Sequence, residues 1–316
     1  MLVNQRLTAG KRGSVGCKSK AQPSIQIATS PNRLPTSKDK IKLVALDLDG
    51  TLLDKHSRIP KGSVRVIKEA IRRGVRVVAA TGKARPAVMK VAALHDLGGE
   101  GELSWANGPG IYMHGLLVLG PSGQALAEHA LSDDVVRSAF SFSAAEGVPL
   151  VAFLGDINGV LIDSSENHEL HERYHEPLGQ LFPSIDALLA AGTVRKMIFM
   201  TDSIRISNFV MPYWMKALSC HPFAQTTQAV NTMCEIVPRG VNKWTGAQVL
   251  LNSLGLRREE LMACGDGLND LEIVQNAGVG VAMGNAVTVL KSQANVVVAG
   301  HNDGGIVEAF EKFVLV

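Results

Sequence analysis

The run Ile41-Lys42-Leu43-Val44-Ala45-Leu46 is short, apolar, and stops at a carboxylate and a glycine, Asp47 and Gly50. A strand buried on both faces of a parallel sheet reads this way where it delivers a loop to a site. From Ser63 to Arg73, Val64, Ile67 and Ile71 share one face, Val66 and Ala70 flank it, and Gly74 closes the segment, which predicts a helix. Val75 to Ala80 is a second apolar run, ending at Thr81-Gly82. Strand, helix and strand in this order form a βαβ unit, and hence a parallel sheet with a right-handed crossover.

The middle of the chain has a different rhythm. Two short β-type runs between Tyr112 and His129 flank the turn cluster Gly120-Pro121-Ser122-Gly123, which predicts an antiparallel hairpin. A helix over 132–146, a strand over 148–154, a helix over 167–179, a strand over 193–200 and another helix before Cys220 follow. After residue 221 the βα alternation resumes: helix 242–254, strand 261–264, helix 268–276, strands 278–282 and 295–298, and a closing helix from Gly304. The expected fold is α/β: a Rossmann-like parallel sheet core over 39–108 and 222–316, with an inserted α+β module over 109–221.

Composition narrows the class. At 46% hydrophobic and 19% charged the chain can bury a full core, which excludes a disordered protein. Cysteines at 17, 220, 234 and 264 contain no C-x-x-C, so neither a disulfide framework nor a thiolate zinc site is expected. No run of about 18 uncharged apolar residues occurs, so no membrane-spanning helix is expected. The net charge of +3 is unevenly placed. Residues 1–38 hold seven Lys or Arg, five Ser, three Thr and no Asp or Glu, leaving the body at −4. Such a segment reads as a transit peptide directing the chain to the chloroplast stroma, with a mitochondrial matrix address or a cytoplasmic protein with a disordered basic tail as alternatives. The acidic body gives no reason to expect a nucleic-acid partner.

Candidate chemistry gathers at predicted strand ends, where open α/β sheets place their sites. The stretch Asp47-Leu48-Asp49-Gly50-Thr51-Leu52-Leu53-Asp54 lets Asp47 and Asp49 reach one centre, while Gly50 lets backbone N–H groups approach an anion. Carboxylates this close repel unless a cation or proton intervenes, and Mg²⁺ is the economical cation. Thr81-Gly82 adds a hydroxyl and a backbone donor. Lys243 opens a helix, where the dipole does not favour a positive charge, so it is read as serving an anion. Cys264-Gly265-Asp266-Gly267-Leu268-Asn269-Asp270 repeats the pattern of apolar strand, glycines and carboxylates at a helix start.

In this order the four segments resemble the signature motifs of the haloacid dehalogenase-like superfamily of phosphohydrolases. The insertion, together with Asn107-Gly108 and Asn302-Asp303-Gly304-Gly305, is similar to the larger α/β cap of the Cof-like branch. One departure is Lys83-Ala84-Arg85 after Thr81-Gly82, where an immediate Arg is frequent. The resemblance implies an aspartyl-phosphate mechanism on a small phosphate ester, with Asp47 as nucleophile and Asp49 as acid and base. Thr81, Lys243, Asn269, Gly50 and Gly82 would hold the phosphate, and Asp47, Asp266 and the Asp49 carbonyl would hold Mg²⁺, with Asp270 supporting the metal or Lys243. Sugar phosphates, flavin or riboflavin-pathway phosphates and pyridoxal phosphate are the implied substrates. A phosphosugar mutase or phosphotransferase and a non-catalytic phospho-ligand-binding protein are the alternatives. Lys196, inside an apolar run, is read either as facing the cleft or as an exposed strand-edge lysine. His168, His171 and His175 are spaced for one helical face, more in keeping with a solvated surface than with zinc.

Overall fold

The computed structural model describes residues 40–99, 103, 108–228 and 230–316. The basic segment 1–38 and Asn107 lie outside the described residues.

Five parallel strands form one sheet in the spatial order Val296–Val297, Val279–Ala282, Leu261–Gly265, Leu43–Leu46, Arg76–Ala79. Leu43–Leu46 is flanked on both sides, and its residues are at most 1% exposed, which is why its sequence is continuously apolar. Its end is level with its neighbours' ends, since Leu46 is opposite both Cys264 and Ala79. Asp47, Thr81 and Asp266 therefore leave the sheet together at the carboxyl ends of its strands. Helix Lys61–Arg72 covers the sheet through Ser63, Val66, Ile67 and Ala70, and also packs against helix Gly305–Phe313. The buried stripe is rotated from the expected one, with Val64 and Ile71 at its half-buried rims.

The second sheet has six strands in the order Ala224–Thr227, Met233–Pro238, Val194–Met200, Leu150–Leu154, Ile157–Val160, Gly179–Leu181. Its pairs are antiparallel except the last. The strand division thus differs from the expected 109–221 at both ends. Residues 224–238, assigned by sequence to the parallel core, form a hairpin that places Met233–Pro238 against Val194–Met200, and all residues of both strands are buried. At the other end, Gly110–Tyr112, Leu117–Leu119 and Ala125–Glu128 form a separate three-stranded antiparallel sheet around the expected turn. Ile111 bridges Ala80, so this sheet extends the core edge. Helix Lys243–Leu254 packs on it through Gly246, where a Cβ would stand 2.8 Å from Ile111 Cγ2.

Helices Arg85–Ala93, Ile185–Ala191 and Thr288–Gln293 had no clear periodic signal in so few residues. The expected helix over 167–179 runs instead from Ser165 to Tyr174, because His175 turns left-handed at φ 61 and Pro177 follows. Of the three histidines only His168 and His171 lie within the helix, and His175 is outside it; His168 Nε2 is 3.1 Å from Asp163, and His171 Nδ1 is 2.7 Å from the Glu176 carbonyl. Among the described residues no helix is long and apolar enough to cross a membrane.

Candidate active site

Two loops at the carboxyl end of the five-stranded sheet interlock around a cluster of carboxylates. Past Asp47 the chain turns through Gly50 at φ 76, where a side chain would collide with the Asp266 carboxylate. Thr51 Oγ1 donates to Asp266 Oδ1 at 3.2 Å, and Asn285 Nδ2 donates to the Gly50 carbonyl at 2.8 Å. In the facing loop Asp270 Oδ2 accepts the N–H groups of Asp266 and Gly267 at 3.1 and 3.0 Å.

Lys243 enters this cluster from the start of its helix. Asn242 and Thr245 cap each other reciprocally and fix the entry angle. The lysine is 1% exposed, and its Nζ lies 2.6 Å from Asp47 Oδ1 and 2.6 Å from Asp270 Oδ1. Burial pushes the Asp47 carboxyl well above the usual range; Lys243 pulls it back, while Asp270 and Asp266 push it further up. Burial opposes the Lys243 charge, but its two carboxylate partners win and hold its pKa above the ordinary value. Asp266 is pushed up to about 6 by burial and by Asp270.

Oxygens of Asp47, Asp266 and Asp270 all lie within 4.8 Å of one another. An all-oxygen set in which burial and neighbouring carboxylates raise Asp47 and Asp266 fits a hard divalent cation. Both Asp270 oxygens already hold Lys243 and the loop, so its support of Lys243 is the role its contacts express. The Asp49 side chain is turned away from the cluster, with Oδ2 3.0 Å from Lys83 Nζ, leaving its backbone carbonyl as the candidate donor.

Above the cluster lies a cavity of about 680 Å³, lined at its floor by Asp47, Thr81 and Lys243 and opposite by residues of the six-stranded sheet. Asp49, Gly82, Asn269 and Asp266 also line it, but Gly50 does not. Thr81 is 1% exposed, and its Oγ1 accepts the Lys83 N–H at 3.2 Å. Lys83, the residue of the motif departure, holds Asp49 and donates to the Tyr174 carbonyl at 2.9 Å. Lys196 faces the cleft: it is buried and donates to the Gly82 carbonyl at 3.2 Å and to Glu235 at 3.3 Å. The exposed-edge reading of Lys196 does not hold, because its strand is central in the sheet.

Sequence reasoning missed Glu235, His114 and Asn285. A lone carboxylate in Met-Cys-Glu-Ile-Val, like the two adjacent cations that open Arg-Lys-Met-Ile-Phe, was a usable signal for buried charge pairing. His114 and Asn285 carried none. Burial pushes the His114 imidazole down to about 4, Glu235 resisting and Lys196 and Lys243 assisting. Between its ordinary value of 6.5 and about 4, the unfolded chain takes up a proton that the folded one refuses. Stability is therefore lost as pH falls through that window, by up to about 3 kcal/mol, with no further loss below it. Urea unfolding of wild type and His114→Gln from pH 7 to 4 isolates this effect, since Asp266 titrates in both proteins. Parallel pH profiles would refute it.

The family model for haloacid dehalogenase-like hydrolases matches residues 44–310. The chain belongs to the haloacid dehalogenase-like hydrolases. Its fold agrees with crystal structures of such a hydrolase from Bacteroides thetaiotaomicron (TM-score 0.76, 24% identity, covering 86% of this chain and 99% of that one) and of one from Plasmodium vivax described as HAD/COF-like (TM-score 0.77, 24% identity, 87% and 96%). An Arabidopsis thaliana protein named chloroplastic endoribonuclease YBEY is 36% identical over 276 residues, 87% of this chain. This chain spans about half of that relative, 47% of its length. The Bacillus subtilis 5-amino-6-(5-phospho-D-ribitylamino)uracil phosphatase YwtE is 25% identical over 288 residues (84% of this chain, 96% of that protein). The phosphoglycolate phosphatase of Methanothermobacter thermautotrophicus is 24% identical over 281 residues (86% and 99%).

Proposed function

We propose that this hydrolase is a Mg²⁺-dependent phosphatase of small phosphorylated metabolites that works through an aspartyl-phosphate. The observation that carries the reading is Asp47 at a cavity floor, 2.6 Å from a buried lysine and grouped with Asp266 and Asp270. Asp47 attacks phosphorus in line, the ester oxygen departs, and Asp49 protonates it. Asp49 then takes a proton from water as that water attacks the Asp47 acyl phosphate, releasing inorganic phosphate and regenerating both carboxyls. Lys243, Thr81, Asn269 and the Gly82 backbone orient the phosphoryl oxygens. Mg²⁺ held by Asp47, Asp266 and the Asp49 carbonyl would screen the approach of one anion to another. The six-stranded sheet acts as a cap that supplies contacts to the leaving group.

Candidate substrates are sugar phosphates, riboflavin-pathway phosphates and pyridoxal phosphate; a phosphorylated ribitylamino compound is the substrate that the name of YwtE gives. The basic segment 1–38 serves as a plastid address, supported by the chloroplastic Arabidopsis relative. Phosphate release from a metabolite panel by the full chain tests the reading. Release is expected with Mg²⁺, falls by at least about a hundredfold in excess EDTA, and returns when Mg²⁺ is restored. No release from any ester with Mg²⁺ present refutes it.

A further inference from the structure

The segment after helix Ser165–Tyr174 is strained and delivers a half-satisfied carboxylate to the cavity. His175 holds φ 61, a conformation its Cβ disfavours, and His171 fixes the Glu176 carbonyl at 2.7 Å. Glu176 lines the cavity at 4% exposure, and its Oε1 accepts the Ala84 N–H at 3.1 Å. Its Oε2 is buried, with no hydrogen-bond partner among the described residues. Buried carboxylate oxygens are normally satisfied, so an orphan beside a cavity marks a place that a ligand completes.

Charge restricts what that ligand is. Each lysine lining the cavity already faces a carboxylate: Lys83 with Asp49 at 3.0 Å, Lys196 with Glu235 at 3.3 Å, and Lys243 with Asp47 at 2.6 Å. His114 is neutral at neutral pH, so no lining cation is left for a second anionic group. Burial raises the Glu176 carboxyl, while Lys196 and Lys83 pull it back; a donated hydrogen bond would further favour its charged form.

We infer that Glu176 selects substrates by their non-phosphate part, accepting a hydrogen bond from a hydroxyl or amine on a leaving group that carries no negative charge. The inference rests on the phosphatase reading. It is not dictated by the relatives, whose names include both a ribitylamino and a glycolate ester.

Sorbitol 6-phosphate and 6-phosphogluconate test it, since they differ only by a terminal CH₂OH against a carboxylate. Wild type is expected to favour the polyol ester by about a hundredfold in kcat/KM, mainly through KM, because like charge excludes the other. Glu176→Gln keeps volume and an acceptor for Ala84, and should shrink that ratio about tenfold. Calorimetric binding of both esters to the Asp47→Asn protein needs no turnover and should show the same preference. Equal or reversed preference, an unchanged ratio in Glu176→Gln, or binding of neither ester below about 10 mM overturns the inference. Failure of the phosphatase reading is separable: p-nitrophenyl phosphate would then also release no phosphate.

Discussion

Asp47→Asn lowers phosphate release by at least about 10⁴-fold, because the amide cannot form the acyl phosphate. Folding is retained. The substitution removes a carboxylate whose ionisation burial opposes, and it leaves Lys243 paired with Asp270 at 2.6 Å. An unfolding midpoint within about 5 °C of wild type and an unchanged far-UV spectrum are expected. Single-turnover assays with ³²P-labelled ester sharpen the test: acid-stable label on the protein appears with wild type and not with Asp47→Asn. Residual turnover above about 1% of wild type would remove Asp47 from the nucleophile's role.

Lys243→Met should damage fold and activity together. The lysine stands between Asp47 and Asp270 in a site 1% exposed, so its loss leaves buried carboxylates facing each other without a cation. Removing one partner of a buried ion pair destabilises by about 3–5 kcal/mol. The sign of the pH dependence follows from Asp47, whose folded pKa is already raised and which loses the lysine that pulls it down. A carboxyl raised on folding destabilises above its unfolded value of 3.8, and the penalty fades as pH falls toward that value. Urea unfolding should therefore show a deficit at pH 7 that shrinks at pH 5. Added Mg²⁺ should recover part of it, since a cation on the remaining carboxylates binds the folded chain. A loss below about 1 kcal/mol at pH 7 would mean that the cluster is not held as a charge-balanced unit.

The site core was legible because its chemistry is local. Asp47, Asp49, Gly50 and Thr51 follow one apolar strand, and Asp266 to Asp270 follow another, so strand-end reasoning finds both without knowing their distance. Parallel pairing then makes the ends coincide, since Leu46 is opposite Cys264. Lys243 was readable for a similar reason, as a helix-start lysine is electrostatically out of place unless an anion is near. Boundaries were harder. Ala224–Thr227 is short and mostly polar, and its identity as a strand comes from pairing with Met233–Pro238, a non-local contact.

What the sequence by itself determined is the family, the parallel core and the motif residues. These depend on apolar runs, glycines and carboxylates whose order along the chain survives any detail of packing. Only the tertiary structure decided what faces them across the cavity. Glu176, Lys196 and Glu235 lie on segments remote from Asp47; apolar neighbours signal that Lys196 and Glu235 are buried, but no local pattern states that any of the three lies over that floor. The same holds for His175, whose left-handed turn redirects a predicted helix and carries Glu176 into the cavity. Local propensity acts over a few residues, whereas burial and charge pairing are set by which surfaces meet, and that is fixed only when the five- and six-stranded sheets come together.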